Sequence, residues 1–150
     1  MIIKDVIRAK DISGVSEAGV VTVLPEDEVR EVARVLVKHN IGIVFVCDRQ
    51  GGLRGVLSER DIVRAIGEHD DAALAMKVEA VMTMDVQSCM PDDDPMNIIN
   101  TMSKKKFRHM PVIDKGKLVG IVSSTDIFNH IRTRLTPDEQ ALLWTREFYV

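Results

Sequence analysis

The sequence predicts an α+β fold built from two copies of one βαββα unit, packed as a pseudo-twofold pair. A short lead-in helix precedes each copy and a further helix closes the C-terminal end. Three observations predict this. The chain repeats itself in order and spacing, which is the signature to look for first. Its apolar residues switch between helical and strand periodicity at matching places in the two copies. A unit of this size buries too little surface to be secure alone, so two copies must share a core, sheet against sheet.

The elements follow in order. Ile2-Ile3-Lys4-Asp5-Val6-Ile7 and Lys77-Val78-Glu79-Ala80-Val81-Met82-Thr83 read as matching lead-in helices. The first strands are Val21-Thr22-Val23-Leu24 and Gln87-Ser88-Cys89-Met90, each followed by Pro and acids. A helix comes next in each copy. Val29, Val32, Ala33 and Leu36 recur at i, i+3, i+4 and i+7, as do Pro95, Ile98, Ile99 and Met102. Pro95 suits the first helical turn, where its missing N–H is not needed. The middle strands, residues 41–48 and 107–114, both end in Asp and lead through a Gly-containing turn into return strands at 53–57 and 118–122. Such turns between strand patterns read as hairpins. Both return strands run through Ser58 or Ser123 into a last helix. Beyond copy two, Thr136, Pro137 and Glu139 form a helix start with a capping box, and Ala141, Trp144 and Phe148 fall on one stripe of the helix they open. The chain thus divides into residues 1–76 (first repeat with its lead-in), 77–134 (second repeat) and 135–150 (C-terminal helical tail).

Composition narrows the function. The chain has 150 residues, is 45% hydrophobic and 29% charged, and carries a formal net charge of -3. A diffuse polyanion-binding surface is not expected from that balance, and nucleic acid is a poor candidate partner. The longest apolar runs are too short to span a bilayer, and no secretion-signal pattern opens the chain. Cys47 and Cys89 sit in apolar strands and read as small buried hydrophobes, so a reducing, cytoplasmic location is the default. His39, His69, His109 and His130 show no metal-ligand spacing, and no Walker loop or dinucleotide fingerprint is present. Neither a metal site nor an enzyme is expected.

The motif that carries function is Gly-h-h-Ser-x-x-Asp, with h apolar. It occurs as Gly55-Val56-Leu57-Ser58-Glu59-Arg60-Asp61 and as Gly120-Ile121-Val122-Ser123-Ser124-Thr125-Asp126. One reading is a capping box at a helix start. The other is a ligand site. Free N–H groups at the helix N-terminus attract an anion, an acceptor-only Asp can take both ribose hydroxyls, and Gly55 and Gly120 allow close approach to the strand. Copy two adds Arg108 and His109, where copy one has Gly42 and Ile43, so the two sites should differ and the second should favour the charged end of a ligand. Lys104, Lys105 and Lys106 match the dipole of the preceding helix, with phosphate contact by one of them as the lesser reading.

These residues resemble the CBS domain, a module often found in tandem as a Bateman module. The match rests on Val46-Cys47-Asp48 with Gly55 to Ile62, and on Met110-Pro111-Val112-Ile113-Asp114 with Gly120 to Ile127, and covers about residues 2–134. The resemblance implies a stand-alone CBS pair, two clefts between the repeats, a homodimer, and regulation by AMP, ADP, ATP, NAD or S-adenosylmethionine, with AMP favoured. By the same resemblance, Asp61 and Asp126 match ribose-binding acids. Ser58, Ser123 and Thr125 match the hydroxyls near the phosphate, Arg108 and His109 face it, and Arg60 is counted among the ligand-binding positions. Thr22, Val23, Ser88 and Cys89 line the adenine pocket, and Ile43, Val44, Met110 and Pro111 form its apolar wall. Copy one departs from the family at Phe45, which stands where copy two has Pro111 and would narrow a pocket if it points inward. The leading expectation is an adenine-nucleotide module that signals to an unknown partner protein. The alternative is a ligand-free dimerisation module whose Ser-x-x-Asp motifs only cap helices.

Overall fold

A computed structural model describes residues 2–8, 21–139 and 141. In the first repeat, β1 (Thr22–Val23) pairs in parallel with β2 (Ile43–Cys47), which pairs antiparallel with β3 (Leu53–Ser58). Helix α2 (Val29–His39) crosses between β1 and β2, and α3 (Glu59–His69) follows β3. A 3-10 turn over Asp70–Ala75 and the short α4 (Val78–Val81) lead into the second repeat. There α5 (Pro95–Lys105), β4 (His109–Asp114), β5 (Lys117–Ser123) and α6 (Ser124–Arg132) repeat the order. Helix α1 (Ile3–Arg8) precedes the first repeat.

The repetition extends to irregularities. The β2–β3 ladder shifts register between Val46 and Cys47, and the β4–β5 ladder shifts at the matching step between Val112 and Ile113. Helices α2 and α5 both end on a left-handed residue, Asn40 at φ 51 and Lys106 at φ 58. Asn tolerates that conformation, whereas a Lys side chain crowds its own carbonyl there. The second hairpin turns on Lys115 and Gly116, both at positive φ, as a two-residue turn matched to strand twist requires.

The first strand of the second repeat is shorter than the sequence predicts. It is reduced to one bridge, Cys89 to Val112, in which Cys89 N–H donates to Pro111 O at 3.0 Å and Ile113 N–H to Cys89 O at 2.8 Å. In the first repeat the ladder is extended by Phe45 N–H donating to Val21 O at 3.4 Å. Pro111 holds the place of Phe45 and has no N–H, so the matching bond to Gln87 cannot form.

The lead-in helices do not pack where sequence adjacency suggests. Ile3 and Val6 of α1, both buried, complete the core of the second repeat with Ile98, Met110 and Ile127. Val78 of α4 completes the core of the first repeat with Val29, Val44 and Leu57. The docking bonds are equivalent. Ile3 and Lys4 N–H donate to Asp93 O (3.0 Å) and Pro91 O (2.8 Å), and Val78 and Glu79 N–H donate to Asp27 O (2.8 Å) and Pro25 O (3.0 Å). At the C-terminal end, Thr136 N–H donates to Glu139 Oε2 at 2.8 Å, so the capping box forms, while Trp144 and Phe148 lie outside the described residues.

Two predictions follow from this packing. Ile3→Ala should lower stability by about 2–4 kcal/mol, the cost of an Ile-to-Ala cavity. In native-state hydrogen exchange the loss should concentrate in β4, β5 and α6, and a loss centred on β1–β3 would refute the crossed docking. Lys106→Gly should raise stability by about 0.5–1 kcal/mol in urea unfolding, because glycine adopts the left-handed cap without steric cost.

Candidate functional site

Residues directly opposed in an antiparallel ladder share one face of the sheet. Ile43 opposes Ser58 and Phe45 opposes Val56; in the second repeat His109 opposes Ser123 and Pro111 opposes Ile121. These two faces look at each other. The alternate residues Val44, Val46, Met110 and Val112 point the other way, into the helix-covered cores. Between the inner faces lies a cavity of about 310 Å³. Its walls are Ile43, Phe45 and Val56 from the first repeat and Phe107, His109 and Pro111 from the second; Asp85, Val86, Gln87 and Lys105 complete it. That volume is at the lower end of the roughly 300–1,000 Å³ typical of small-molecule sites. Aliphatic and phenyl walls suit a planar ring, Asp85, Gln87 and His109 offer acceptors and donors for its polar substituents, and Lys105 adds a positive charge at the rim.

The expected site residues divide into three groups. Ile43, His109 and Pro111 line the cavity. Ser58 and Ser123 stand opposite lining residues, at the ends of the strands that carry the inner faces. The others lie elsewhere. Val44 and Met110 were expected in the pocket wall and are instead 0% and 1% exposed in the cores, because strand alternation turns them away from the cavity. Val23 and Cys89 are core residues for the same reason, and the Cys89 thiol donates to Pro111 O at 3.7 Å. Thr22, Arg60, Arg108 and Thr125 are exposed and are not among the lining residues. Ser88 lines a separate space of about 270 Å³ nearer the hairpins, with Arg54, Met84 and Ile113.

Both Ser-x-x-Asp motifs form complete capping boxes. Asp61 N–H donates to Ser58 Oγ at 3.2 Å, and Ser58 N–H returns to Asp61 Oδ2 at 2.9 Å. Asp126 N–H and Ser123 N–H make the same exchange at 3.0 and 2.8 Å. Asp61 is committed further. Its carboxylate also accepts from Ser58 Oγ (3.0 Å) and Thr83 Oγ1 (3.4 Å) and pairs with Arg64 at 3.5 Å, all at 7% exposure. A ribose would have to displace contacts the chain already makes. Gly55 is likewise occupied from within. A Cβ there would come within 2.7 Å of Thr83 O and 2.9 Å of the Met82 sulfur, so the close approach it permits is that of the connecting segment. Thr83 exchanges two backbone hydrogen bonds with Val56, both 2.9 Å.

The cysteines are poor nucleophiles. Burial, with a smaller contribution from nearby Asp93, pushes the Cys89 thiol up to about 12, and burial raises Cys47 as well. Among the described residues no cluster of His, Cys, Asp and Glu could hold a metal ion, and no helix is long and apolar enough to cross a membrane.

Sequence reasoning passed over Val56, Asp85, Val86, Gln87 and Phe107 and gave Lys105 mainly a helix-dipole role. Val56 was recoverable by stepping two residues back from Ser58. Asp85–Gln87 carry no periodicity, and only the fold places them at the cavity.

Comparison with known proteins agrees with this architecture. The CBS domain family model matches residues 4–68 and 78–133, one match per repeat. An uncharacterized 17.7 kDa protein in the bps2 3′ region of Acidianus ambivalens is 35% identical over 120 residues, 79% of this chain and 71% of that protein. The crystal structure of the CBS-domain containing protein ATU1752 from Agrobacterium tumefaciens is similar with a TM-score of 0.72 at 34% identity, covering 89% of this chain and 93% of that one. The CBS domain pair of MJ0100, solved in complex with 5-methylthioadenosine and S-adenosyl-L-methionine, is similar with a TM-score of 0.71 at 26% identity, covering 90% and 98%. With both repeats matched and the fold shared along nearly their whole length, the chain belongs to the CBS-domain family and is a tandem CBS pair.

Proposed function

We propose that this CBS pair is a regulatory module that holds an adenine nucleotide, AMP first and ATP, ADP or NAD as its relatives, in the cavity between the repeats and reports its occupancy to a partner protein. In this reading it works as a cytoplasmic homodimer and performs no catalysis. The observation that carries the reading is the cavity itself, with an apolar wall from each repeat, two phenyl rings and a polar rim. The adenosine ligands of the MJ0100 pair support the ligand class. A ligand gripped by both repeats stabilises one arrangement of the pair over others, and a partner can read that shift.

An AMP-sized ligand has about 23 heavy atoms, and at roughly -0.3 kcal/mol per atom its affinity falls near ~10 μM. Calorimetry with AMP, ATP and NAD should find binding of that order, and Ile43→Trp, which fills the cavity from the first-repeat wall, should abolish it in a folded protein. Absence of heat and of thermal shift with all three at millimolar concentration rejects the reading. Undiminished binding by Ile43→Trp rejects the location.

The complete capping boxes favour a second reading, a dimerisation module without ligand. Under it, Ser58→Ala and Ser123→Ala each cost about 1 kcal/mol and nucleotide leaves the melting temperature unchanged. Both readings need a dimer surface. Val37 and Val63 are 82% and 68% exposed and border a groove between α2 and α3, an apolar patch suited to a second copy. Val37→Glu combined with Val63→Glu should convert dimer to monomer in sedimentation velocity. A dimer that persists would place the interface elsewhere.

A further inference from the structure

The rim of the inter-repeat cavity carries a contact with no counterpart in the first repeat. Lys105, in the last turn of α5, donates from Nζ to the side-chain oxygen of Gln87. Both residues line the cavity. One belongs to a helix of the second repeat and the other to the segment that enters it, so the bond straps the mouth. In the first repeat the matching positions hold His39 and Val21, which cannot form it.

Gln87 is available for this role because of Pro111. Without an N–H, Pro111 cannot draw the 85–87 segment onto the sheet edge as Phe45 draws Val21 at 3.4 Å. The segment instead lines the cavity. Among the described residues, Lys105 is the one permanent cation that lines the cavity, and Arg108, the anion reader the sequence suggests, is exposed and not part of the lining. A lysine ammonium bonded to a neutral amide exchanges that partner readily for a phosphate, because charge on both sides strengthens the hydrogen bond.

We propose that Lys105 is the residue that sets the charge preference of the cleft: it leaves Gln87 and pairs with the ligand phosphate, so the cavity selects phosphorylated adenosine compounds over the bare nucleoside. The proposal rests on the adenosine reading above and adds to it the group that tells nucleotide from nucleoside.

The test compares AMP with adenosine by calorimetry on the full chain. The wild type should bind AMP at least about tenfold more tightly than adenosine, the size of one charge-assisted hydrogen bond. In Lys105→Gln, AMP should fall to the level of adenosine while adenosine is unchanged. Lys105 is exposed, so the fold should hold, and an unchanged melting temperature checks it. Arg108→Gln should leave the ratio as in the wild type. Raising the salt concentration should shrink the AMP preference in the wild type and not in Lys105→Gln. An AMP-to-adenosine ratio that survives Lys105→Gln, or that collapses in Arg108→Gln instead, overturns the role of Lys105 while leaving the adenosine site standing. Failure of both compounds to bind the wild type overturns the site and this role together.

Discussion

Four backbone hydrogen bonds, made by Ile3, Lys4, Val78 and Glu79 to the turns at Pro91–Asp93 and Pro25–Asp27, determine how this chain is assembled. Each joins a lead-in segment to the repeat other than the one it is grouped with in the expected division of the chain. Ile3 and Val6 fill the core of the second repeat, and Val78 fills that of the first. Neither repeat can complete its core without residues from beyond its own βαββα unit. The crossing brings the connecting segment along the edge of β3, where Thr83 bonds Val56, and then past the space between the sheets. The cavity is therefore a product of the docking. It lies where two sheets are held face to face by segments anchored behind them.

Strand alternation then decides which side chains the cavity receives. Along β2, Ile43 and Phe45 face it while Val44 and Val46 face the core; along β4, His109 and Pro111 face it while Met110 and Val112 face the core. Cores on one side and a partner sheet on the other explain why both middle strands read as nearly continuous apolar runs rather than as a clean alternation. Such a run conceals its own phase. That is why neighbours such as Val44 and Met110 could be placed in the wall from the sequence when their side chains belong to the interior.

What the sequence made legible was local and repeated. The helical spacing of Val29, Val32 and Leu36, the Gly-containing hairpins, the serines before α3 and α6 and the capping box at Thr136 each depend on neighbours within a few residues, and each has its own physical signature. Two classes of feature were not legible. The crossed docking of α1 and α4 joins residues some 90 and 50 positions apart through backbone groups that carry no sequence label. The cavity rim draws on Asp85–Gln87, a stretch without periodicity, and on Lys105, whose position at a helix end gave it a sufficient local explanation. The Ser-x-x-Asp motif lay between these classes. Its capping role is local and was readable, whereas the commitment of Asp61 to Thr83 and Arg64 follows from the path of the connecting segment.

The backbone of this chain is close to twofold symmetric and its cavity is not. Phe45 stands opposite Pro111 in the repeat, Ile43 opposite His109, and Val21 opposite Gln87. Each pair places the apolar member in the first repeat and the polar or conformationally restricted one in the second. Phe45, 1% exposed, sets a phenyl ring in the cavity wall where its counterpart Pro111 sets a smaller ring, and the first strand of its repeat stays zipped to the sheet through the Phe45 N–H. In the second repeat the same position lacks both bulk and donor. Space opens there, the incoming segment turns toward it, and polar side chains reach the rim. The Phe–Pro pair thus accounts for the different paths of the two first strands, and Ile43 against His109 and Val21 against Gln87 account for the polarity of the cleft. The first repeat supplies a wall and the second supplies the chemistry.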